Sequence, residues 1–272
     1  MSKKNRYFLF DLDGTLSESR EKVGSDMGSL LRDLSKLGTI VIVSGSDYDF
    51  ICEQMNVAWS YIRCDSVILL PCNGTKRYEW EKKGFSSNFQ LKESLTMKDH
   101  IGEQVYTDII SYILSQQLSF MKKGPVSLKC TGQFISYRGS MINWAPTGRN
   151  GNTIDREAFV KYDKETGYRK DELESLNQFL DVNGNVQASL GGDTSFDIFP
   201  TGWDKTIALR FFKDAHELYF FGDRCYPGGN DFEIYQEVKK TGTQAFSVSG
   251  PEDTKNHLID LIKEIKKNDL AK

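Results

Sequence analysis

The sequence predicts an α/β fold: a Rossmann-like parallel sheet covered by helices and interrupted by an inserted α+β unit. Short apolar runs without alternation, such as Tyr7–Phe10 and Thr39–Val43, alternate with helical segments early and late in the chain. The middle of the chain instead combines longer helical segments with short β-like segments joined by glycine-containing turns. At 272 residues the chain is long enough for one large domain or two smaller ones.

The α/β segments come first and last in the chain. Residues 27–37 carry apolar side chains at helical spacing, which predicts a helix ending near Gly38. A short helix to about Met55 follows the second strand. The remaining predicted α/β elements are a strand at Val67–Leu70, a helix from Lys205, a strand at Leu218–Phe221 and a last amphipathic helix through Leu258, Ile262 and Ile265.

The insertion has a different pattern. One helical face within residues 97–120 is predicted to carry Ile101, Val105, Ile109, Ile113 and Leu114, and a charged helix is predicted over about 155–181. The predicted strands of the insertion are Val126–Cys130, Gln133–Arg138, Met141–Trp144, Val186–Leu190 and Thr194–Phe199. We therefore expect a core of residues 1–82 and 190–272 and a cap of residues 83–189.

Composition and charge exclude several classes of protein. A hydrophobic content of 39% favours a packed globular protein over a disordered one. A net charge of −3 and a pI near 5.8 argue against nucleic acid or an anionic membrane as the main partner. No apolar run reaches the roughly 18–20 residues of a membrane span, and the short apolar stretch after the basic start is not expected to be a signal peptide. The cysteines form no C-x-x-C pair and are five in number, which indicates reduced thiols in a cytoplasmic protein; the three scattered histidines suggest no zinc site.

Two aspartates follow the first strand directly. Asp11 and Asp13 lie one residue apart, at the sheet edge where open α/β sheets bind their ligands. Because strand side chains alternate, both carboxylates are expected to point into one site while Leu12 points away. Two acids this close repel each other, so we expect a cation between them or a proton on one of them. Asp and Gly are also common in an ordinary turn at the end of a strand, so these residues alone do not establish a ligand site.

Phosphate-binding groups are expected at the same edge. Ser44 and Ser46 follow the second strand, where a hydroxyl and exposed backbone N–H groups can bind phosphoryl oxygens. Lys205 opens a predicted helix, so its ammonium and the positive end of that helix can both face an anion.

Two further carboxylates complete a predicted metal site. Asp223 follows the strand that ends in Phe221, and Asp231 lies eight residues further on. Together with Asp11 and Asp13 they form an all-oxygen ligand set suited to Mg²⁺.

The Asp-x-Asp-Gly-Thr sequence of residues 11–15 resembles the nucleophile motif of the haloacid dehalogenase (HAD) phosphotransferases. The resemblance implies a HAD-type core in which Asp11 attacks phosphorus to form an aspartyl-phosphate. Asp13 would protonate the leaving oxygen and then take a proton from the next acceptor. Mg²⁺ would offset the repulsion between carboxylate and phosphate.

Over nearly its whole length the chain is similar to eukaryotic-type phosphomannomutases. The matching segments are DLDGTLSESREKV, VSGSDYD, NGT, FISYRGSMINWAPTGRNGNTIDR, GGDTSFDIFPTGWDK, FFGDRCYPGGNDFEIY and SVSGPEDT. The resemblance implies that the cap arginines Arg138, Arg149 and Arg156 bind substrate, together with Arg20, Ser195 and Asp197. A guanidinium fork binds a phosphate through two hydrogen bonds, which suits one end of a hexose bisphosphate.

The same resemblance implies the activity and its setting. Mannose 6-phosphate and mannose 1-phosphate would be interconverted after priming by a hexose 1,6-bisphosphate, with cap closure excluding water. The expected partners are hexose phosphates and a second copy of the chain, bound through the cap. The enzyme is expected in the cytoplasm, where its product would be a precursor of GDP-mannose. Glucose phosphates are the other substrates that the resemblance allows.

Two alternatives to the mutase stay open at this point. The family usually has Gly-Gly-Ser-Asp where this chain has Ser44-Gly45-Ser46-Asp47, and HAD phosphatases carry Ser or Thr at the first position. A sugar-phosphate phosphatase is therefore the alternative enzyme. A catalytically silent sugar-phosphate binder is the third reading, against which stands the presence of a nucleophile and an acid together. Residues 80–130 also look longer than in the family.

Overall fold

The computed structural model describes residues 5–84, 86–124 and 128–270. They form two compact units, one from the residues up to Ser94 and from Asp204 onward, the other from Leu95–Trp203. Residues 83–94 were predicted to belong to the cap, but the described ones lie in the first unit. Residues 190–203 were predicted to belong to the core, but they lie in the second unit. The first unit is called the core and the second the cap.

The core has a seven-stranded sheet of mostly parallel strands, which confirms the predicted α/β fold. The strand order is β11-β10-β1-β2-β3-β4-β5, and all pairs from β11 to β3 are parallel. Its strands are β1 (Arg6–Phe10), β2 (Thr39–Val43), β3 (Val67–Leu70), β4 (Lys76–Lys83), β5 (Ser86–Ser94), β10 (Glu217–Gly222) and β11 (Ala245–Ser247). Its helices are α1 (Ser25–Leu34), α2 (Tyr48–Gln54), α7 (Phe232–Lys240) and α8 (Pro251–Leu270).

Strand β1 is buried on both faces, as its uninterrupted apolar run predicts. Phe8 and Phe10 pack into a cluster that includes Leu31 of α1 and Leu258 of α8. Leu9 points the opposite way, into a second cluster with Ile234 of α7. All of these side chains are fully buried. The strand is therefore fixed from both sides, and the residues that follow it are held at a rigid sheet edge.

Strands β4 and β5 form a hairpin that the sequence pattern did not predict. The hairpin continues the core sheet with antiparallel pairing, and Ile68 lies opposite Glu79. Its strands alternate charged and aromatic residues because only one face is covered, where the rings of Trp80 and Phe89 pack 5.1 Å apart. Charged strands of this kind carry no continuous apolar signal, and the predicted boundary at residue 82 split the hairpin.

The cap has a four-stranded antiparallel sheet in the order β6-β7-β9-β8 and four helices. Its core includes the stacked rings of Trp144 and Phe196, with centroids 4.9 Å apart, and Ile113 and Leu180 pack in the same cluster. The elements are α3 (Met97–Ile101), α4 (Glu103–Lys123), β6 (Ile135–Tyr137), β7 (Ile142–Trp144), α5 (Thr153–Thr166), α6 (Tyr168–Asn183), β8 (Val186–Gly191) and β9 (Ser195–Pro200).

Several predicted elements differ in extent. Each of the two long helices predicted in the cap is a pair of helices. Gly102 and Gly167 take positive φ values of 85° and 71° and end the first helix of each pair. Leu114 is 55% exposed whereas Ile109 and Ile113 are fully buried, so its predicted place on the same helical face is wrong. The predicted helix from Lys205 is a 3-10 segment, Lys205–Phe211. Of the predicted strand Val126–Cys130, residues 126 and 127 lie outside the described residues and 128–130 form no strand.

A half-buried carboxyl in the cap gives a stability prediction. Burial raises the pKa of Glu172 on α6 to about 7 from 4.5, so between these values the folded state holds a proton that the unfolded state releases. Stability is therefore lost as the pH rises through this window. We expect Glu172→Gln to raise the unfolding free energy by roughly 1–3 kcal/mol at pH 8, with little change near pH 4. Thermal unfolding at both pH values, with exposed Glu174→Gln as control, tests this; an equal gain at both would contradict it.

Candidate active site

Asp11 lies directly beyond β1, at the carboxyl edge of the core sheet. Its backbone N–H donates to the carbonyl oxygen of Phe221 in the neighbouring strand β10, at 2.9 Å. The hydroxyl of Thr15 lies 3.4 Å from Asp11 Oδ2. Asp11 is 5% exposed. The end of the sheet therefore presents one carboxylate in a nearly closed environment.

A lysine and two further carboxylates surround Asp11. Lys205 Nζ donates to Asp11 Oδ1 and, at 2.5 Å, to Asp231 Oδ1. Carboxylate oxygens of Asp11, Asp223 and Asp231 all lie within 4.8 Å of one another. Lys205 and Asp231 are essentially inaccessible to solvent. Residues from three separate parts of the sequence thus meet at the edge where they were predicted.

Two glycines allow this close packing. A Cβ at Gly222 would lie 2.8 Å from Asp231 Oδ2, and a Cβ at Gly14 would lie 2.8 Å from Asp223 Cγ. Gly14 also has a positive φ of 83°, which side chains other than glycine disfavour. Asp231 itself precedes α7, and its Oδ2 accepts a hydrogen bond from the Arg224 N–H at 3.2 Å.

The buried charges perturb one another strongly. Burial raises the pKa of Asp11 well above its usual range, the charges of Asp231 and Asp223 raise it further, and Lys205 opposes them. Burial and the charge of Asp231 likewise raise the pKa of Asp223. Burial lowers the pKa of Lys205, but the charges of Asp11 and Asp231 outweigh it and hold this pKa above its usual value. Lys205 alone does not neutralise three carboxylates.

This donor set fits a magnesium ion. Its atoms are carboxylate oxygens, which Mg²⁺ prefers, and they are close enough to share one ion. Buried carboxylates that outnumber their cationic partner are stabilised by an added positive charge. Asp11, Asp223 and Asp231 are the residues that would hold it.

Asp13 does not join this set. Its Oδ1 accepts hydrogen bonds from the Arg20 backbone N–H at 2.6 Å and from Gln54 Nε2 at 2.9 Å. The carboxylate of Asp13, a predicted metal ligand, lies outside the group of carboxylate oxygens that are within 4.8 Å of one another. The chain turns after β1, with Asp13 bridged to Ser17, so strand alternation does not extend to Asp13. Asp13 is half-buried.

The two serines follow β2, which lies next to β1. Ser44 is buried, and its Oγ accepts a hydrogen bond from the Ser46 N–H at 3.0 Å. The loop after β3 reinforces this turn, because the Asn73 N–H donates to the Ser44 carbonyl oxygen at 2.8 Å. A hydroxyl that accepts one hydrogen bond can still donate its own, so Ser44 can bind an anionic oxygen.

In the cap, Asn143 connects three predicted substrate residues. Its Nδ2 donates to Ser195 Oγ at 3.0 Å and to Asp197 Oδ1 at 2.7 Å, and its Oδ1 accepts from Arg149 Nη1 at 2.9 Å. Asn143 is 3% exposed. Sequence reasoning missed it, although it lies within the cap segment that carries the family resemblance.

The other predicted substrate arginines lie elsewhere. Arg156 on α5 has its Nη1 3.4 Å from Thr194 Oγ1 and lines an open cavity of about 600 Å³. Arg138 is buried at the turn after β6, where its N–H donates to the Met141 carbonyl oxygen. Arg20 belongs to the core, with an exposed side chain and a backbone φ of 65°.

Comparison with known families identifies the chain. The family described as eukaryotic phosphomannomutase matches residues 27–264. The chain belongs to this family. A phosphomannomutase of Arabidopsis thaliana is 36% identical over 248 residues, covering 90% of this chain and 92% of the relative. A phosphomannomutase of Dendrobium officinale is 35% identical, covering 90% of each.

Solved structures confirm the HAD-type fold. The IMP-bound, N-terminally truncated IMP-nucleotidase of Plasmodium falciparum superposes with a TM-score of 0.62 at 15% identity, covering 98% of this chain and 69% of that one. A trehalose-6-phosphate phosphatase related protein superposes with a TM-score of 0.55 at 12% identity, covering 96% and 99%. At these identities the likeness concerns the fold, and the activity must be argued from the residues.

Proposed function

We propose that this member of the phosphomannomutase family interconverts mannose 6-phosphate and mannose 1-phosphate through an aspartyl-phosphate and a hexose 1,6-bisphosphate. The observation that carries the proposal is the pairing of two sets of residues in one chain. The core holds a nucleophilic carboxylate beside a buried lysine, and the cap holds Arg149, hydrogen-bonded to Asn143, which suits a second phosphate. A simple phosphatase needs the first set and not the second.

In the first half-reaction, a carboxylate oxygen of Asp11 attacks phosphorus and the bond between phosphorus and the sugar oxygen breaks. Asp13 gives its proton to the departing sugar oxygen. Lys205 and the Ser44 hydroxyl bind the transferring phosphoryl oxygens, with Ser46 N–H beside them. Mg²⁺ held by Asp11, Asp223 and Asp231 would supply positive charge that offsets the repulsion between carboxylate and phosphate.

The second half-reaction runs the same steps in reverse with another hydroxyl of the hexose. Asp13 takes the proton of that hydroxyl, and its oxygen attacks the phosphorus on Asp11. The enzyme needs a hexose 1,6-bisphosphate as activator because Asp11 must first be phosphorylated. Arg149 is proposed to bind the phosphate that is not transferred, with Ser195 and Asp197 binding sugar hydroxyls.

The other substrate-binding residues, the cellular location and the pathway are part of the same proposal. Arg138, Arg156 and Arg20 are assigned to phosphate binding on the family resemblance and their positive charge. Cytoplasmic location is supported by five free thiols, and the product would feed GDP-mannose synthesis. Among the described residues, no helix combines the length and apolar character that crossing a bilayer requires.

A homodimer through the cap is also proposed. Helix α4 exposes Leu114, Leu118 and Met121, which are 53–55% accessible. Their spacing of four and three residues places them on one helical face, where a second copy would cover them.

The second candidate is a sugar-phosphate phosphatase, which the hydroxyl of Ser44 favours. Reversing the charge at Arg149 separates the two. We expect Arg149→Glu to lower kcat/KM for hexose phosphate interconversion by roughly 10²–10³-fold, because a charge-assisted phosphate contact is lost and repulsion replaces it. Hydrolysis of 4-nitrophenyl phosphate should change less than about threefold, since that substrate has no second phosphate. Lys170→Glu, at an exposed position of α6, is the matched control, and an equal loss with both substrates would favour the phosphatase.

A further inference from the structure

The carboxylate of Asp13 is held by two donors on one oxygen. The Arg20 backbone N–H and Gln54 Nε2 both donate to Oδ1, at 2.6 and 2.9 Å. These two contacts leave the second oxygen, Oδ2, for the proton transfer assigned to Asp13. Gln54 lies 41 residues from Asp13 in sequence, at the end of α2, and nothing in the motif itself indicates this contact.

The amide of Gln54 can occupy its position in one orientation only. Its Nε2 also lies 3.3 Å from the Glu21 carbonyl oxygen, so it faces two acceptors. Turning the amide over would place Oε1 against the Asp13 carboxylate and the Glu21 carbonyl, where it would be repelled. Gln54 is 2% exposed, so water does not compete for these contacts.

The same side chain leaves an acceptor unmatched. Gln54 Oε1 is buried and accepts no hydrogen bond from the residues that the structure describes. A buried acceptor without a partner costs roughly 1–3 kcal/mol. Methionine has the same length and would avoid this cost. What the amide contributes that methionine lacks is its N–H toward Asp13.

We propose that Gln54 is a positioning residue for the acid–base step. This inference rests on the proposed role of Asp13. As the bond between phosphorus and the sugar oxygen breaks and the bond from Asp11 to phosphorus forms, the proton on Asp13 Oδ2 moves to the sugar oxygen. Gln54 and the Arg20 N–H then hold the resulting carboxylate through Oδ1. Without Gln54 one donor remains, and the carboxyl can rotate away from the leaving oxygen.

A comparison of two leaving groups tests this. A sugar hydroxyl leaves poorly without a proton, whereas 4-nitrophenolate leaves well without one. For Gln54→Met we expect kcat with mannose 1-phosphate to fall about 10–100-fold with KM nearly unchanged, because misorientation costs part of the general-acid contribution. The pre-steady-state burst of 4-nitrophenolate, which reports only the transfer of phosphate to Asp11, should slow less than about threefold. Asp13→Asn should show the same selectivity more strongly.

The controls separate positioning from general damage. Glu53→Gln, on the exposed side of α2, should leave both rates unchanged. Gln54→Leu repeats the comparison should the methionine variant fold poorly, and thermal unfolding of each variant reports its stability. An equal loss with both substrates, or no loss with either, would overturn the inference. If wild-type protein releases free phosphate instead of the isomeric hexose phosphate, the proposed function fails. The comparison of the two leaving groups still tests the role of Gln54, because a mutase and a phosphatase share the transfer of phosphate to Asp11.

Discussion

Replacing Asp11 by Asn is expected to lower hexose phosphate interconversion and phosphate ester hydrolysis alike by roughly 10⁴–10⁶-fold. The amide is a poor nucleophile, and no other carboxylate of the cluster is proposed to attack phosphorus. Because burial opposes the charge of Asp11, the variant should be at least as stable as the wild type when Mg²⁺ is absent. Steady-state rates and thermal unfolding in EDTA check both statements.

The surface variant Asp260→Asn is the control for this experiment, since Asp260 is 81% exposed. Capture of a phosphorylated protein with radiolabelled bisphosphate should succeed with wild type and fail with Asp11→Asn. An Asp11→Asn protein that retains either activity would contradict the assignment of the nucleophile.

Replacing Lys205 by Met is expected to have the largest effect on stability. It leaves Asp11 and Asp231 buried and without the ammonium that contacts both. Breaking a buried ion pair from one side costs about 3–5 kcal/mol, and the same variant should lose at least about 10³-fold in turnover because a phosphoryl contact is gone. Denaturant unfolding at pH 7.5 and steady-state rates measure the two losses.

The loss of stability should depend on pH in a defined direction. Lys205 lowers the pKa of Asp11, so its removal raises that pKa further above the unfolded value of 3.8. Burial holds the pKa of Asp11 at about 8 even beside Lys205, so at lower pH both folded proteins carry Asp11 protonated; the variant should therefore fall further behind wild type as the pH rises through 8, where only wild-type Asp11 ionises. Added Mg²⁺ should restore part of the stability at pH 7.5.

Lys255→Met is the matched control, because Lys255 also contacts two carboxylates, Asp26 and Glu252. Those partners are well exposed to solvent, so this change should cost less than about 1 kcal/mol. Similar losses for Lys205→Met and Lys255→Met would contradict the account of a buried, charge-compensating lysine.

The core strands and the residues after them could be predicted because the signals are local. The uninterrupted run before Asp11 requires a strand buried on two faces, and Phe8 and Leu9 do point into opposite clusters. Parallel strands bring their carboxyl ends to one edge, so the sequence alone could place Asp11 and Asp223 together.

The parts that could not be predicted depend on contacts between distant residues. The orientation of Asp13 is set by the positive φ of Arg20 and by Gln54, and no spacing rule connects them. Asn143 is a single amide within a strand, and sequence periodicity does not indicate its three polar partners. The helix break at Gly167 depends on whether that glycine takes a left-handed conformation, which its sequence context leaves open.

The most direct test of the account is an assay of wild-type protein with mannose 1-phosphate and Mg²⁺, with and without glucose 1,6-bisphosphate. Mannose 6-phosphate and free phosphate are followed in the same reaction. The account predicts mannose 6-phosphate that depends on the bisphosphate, with little free phosphate. Free phosphate released in proportion to the substrate consumed, with or without bisphosphate, would contradict the mutase and identify a phosphatase.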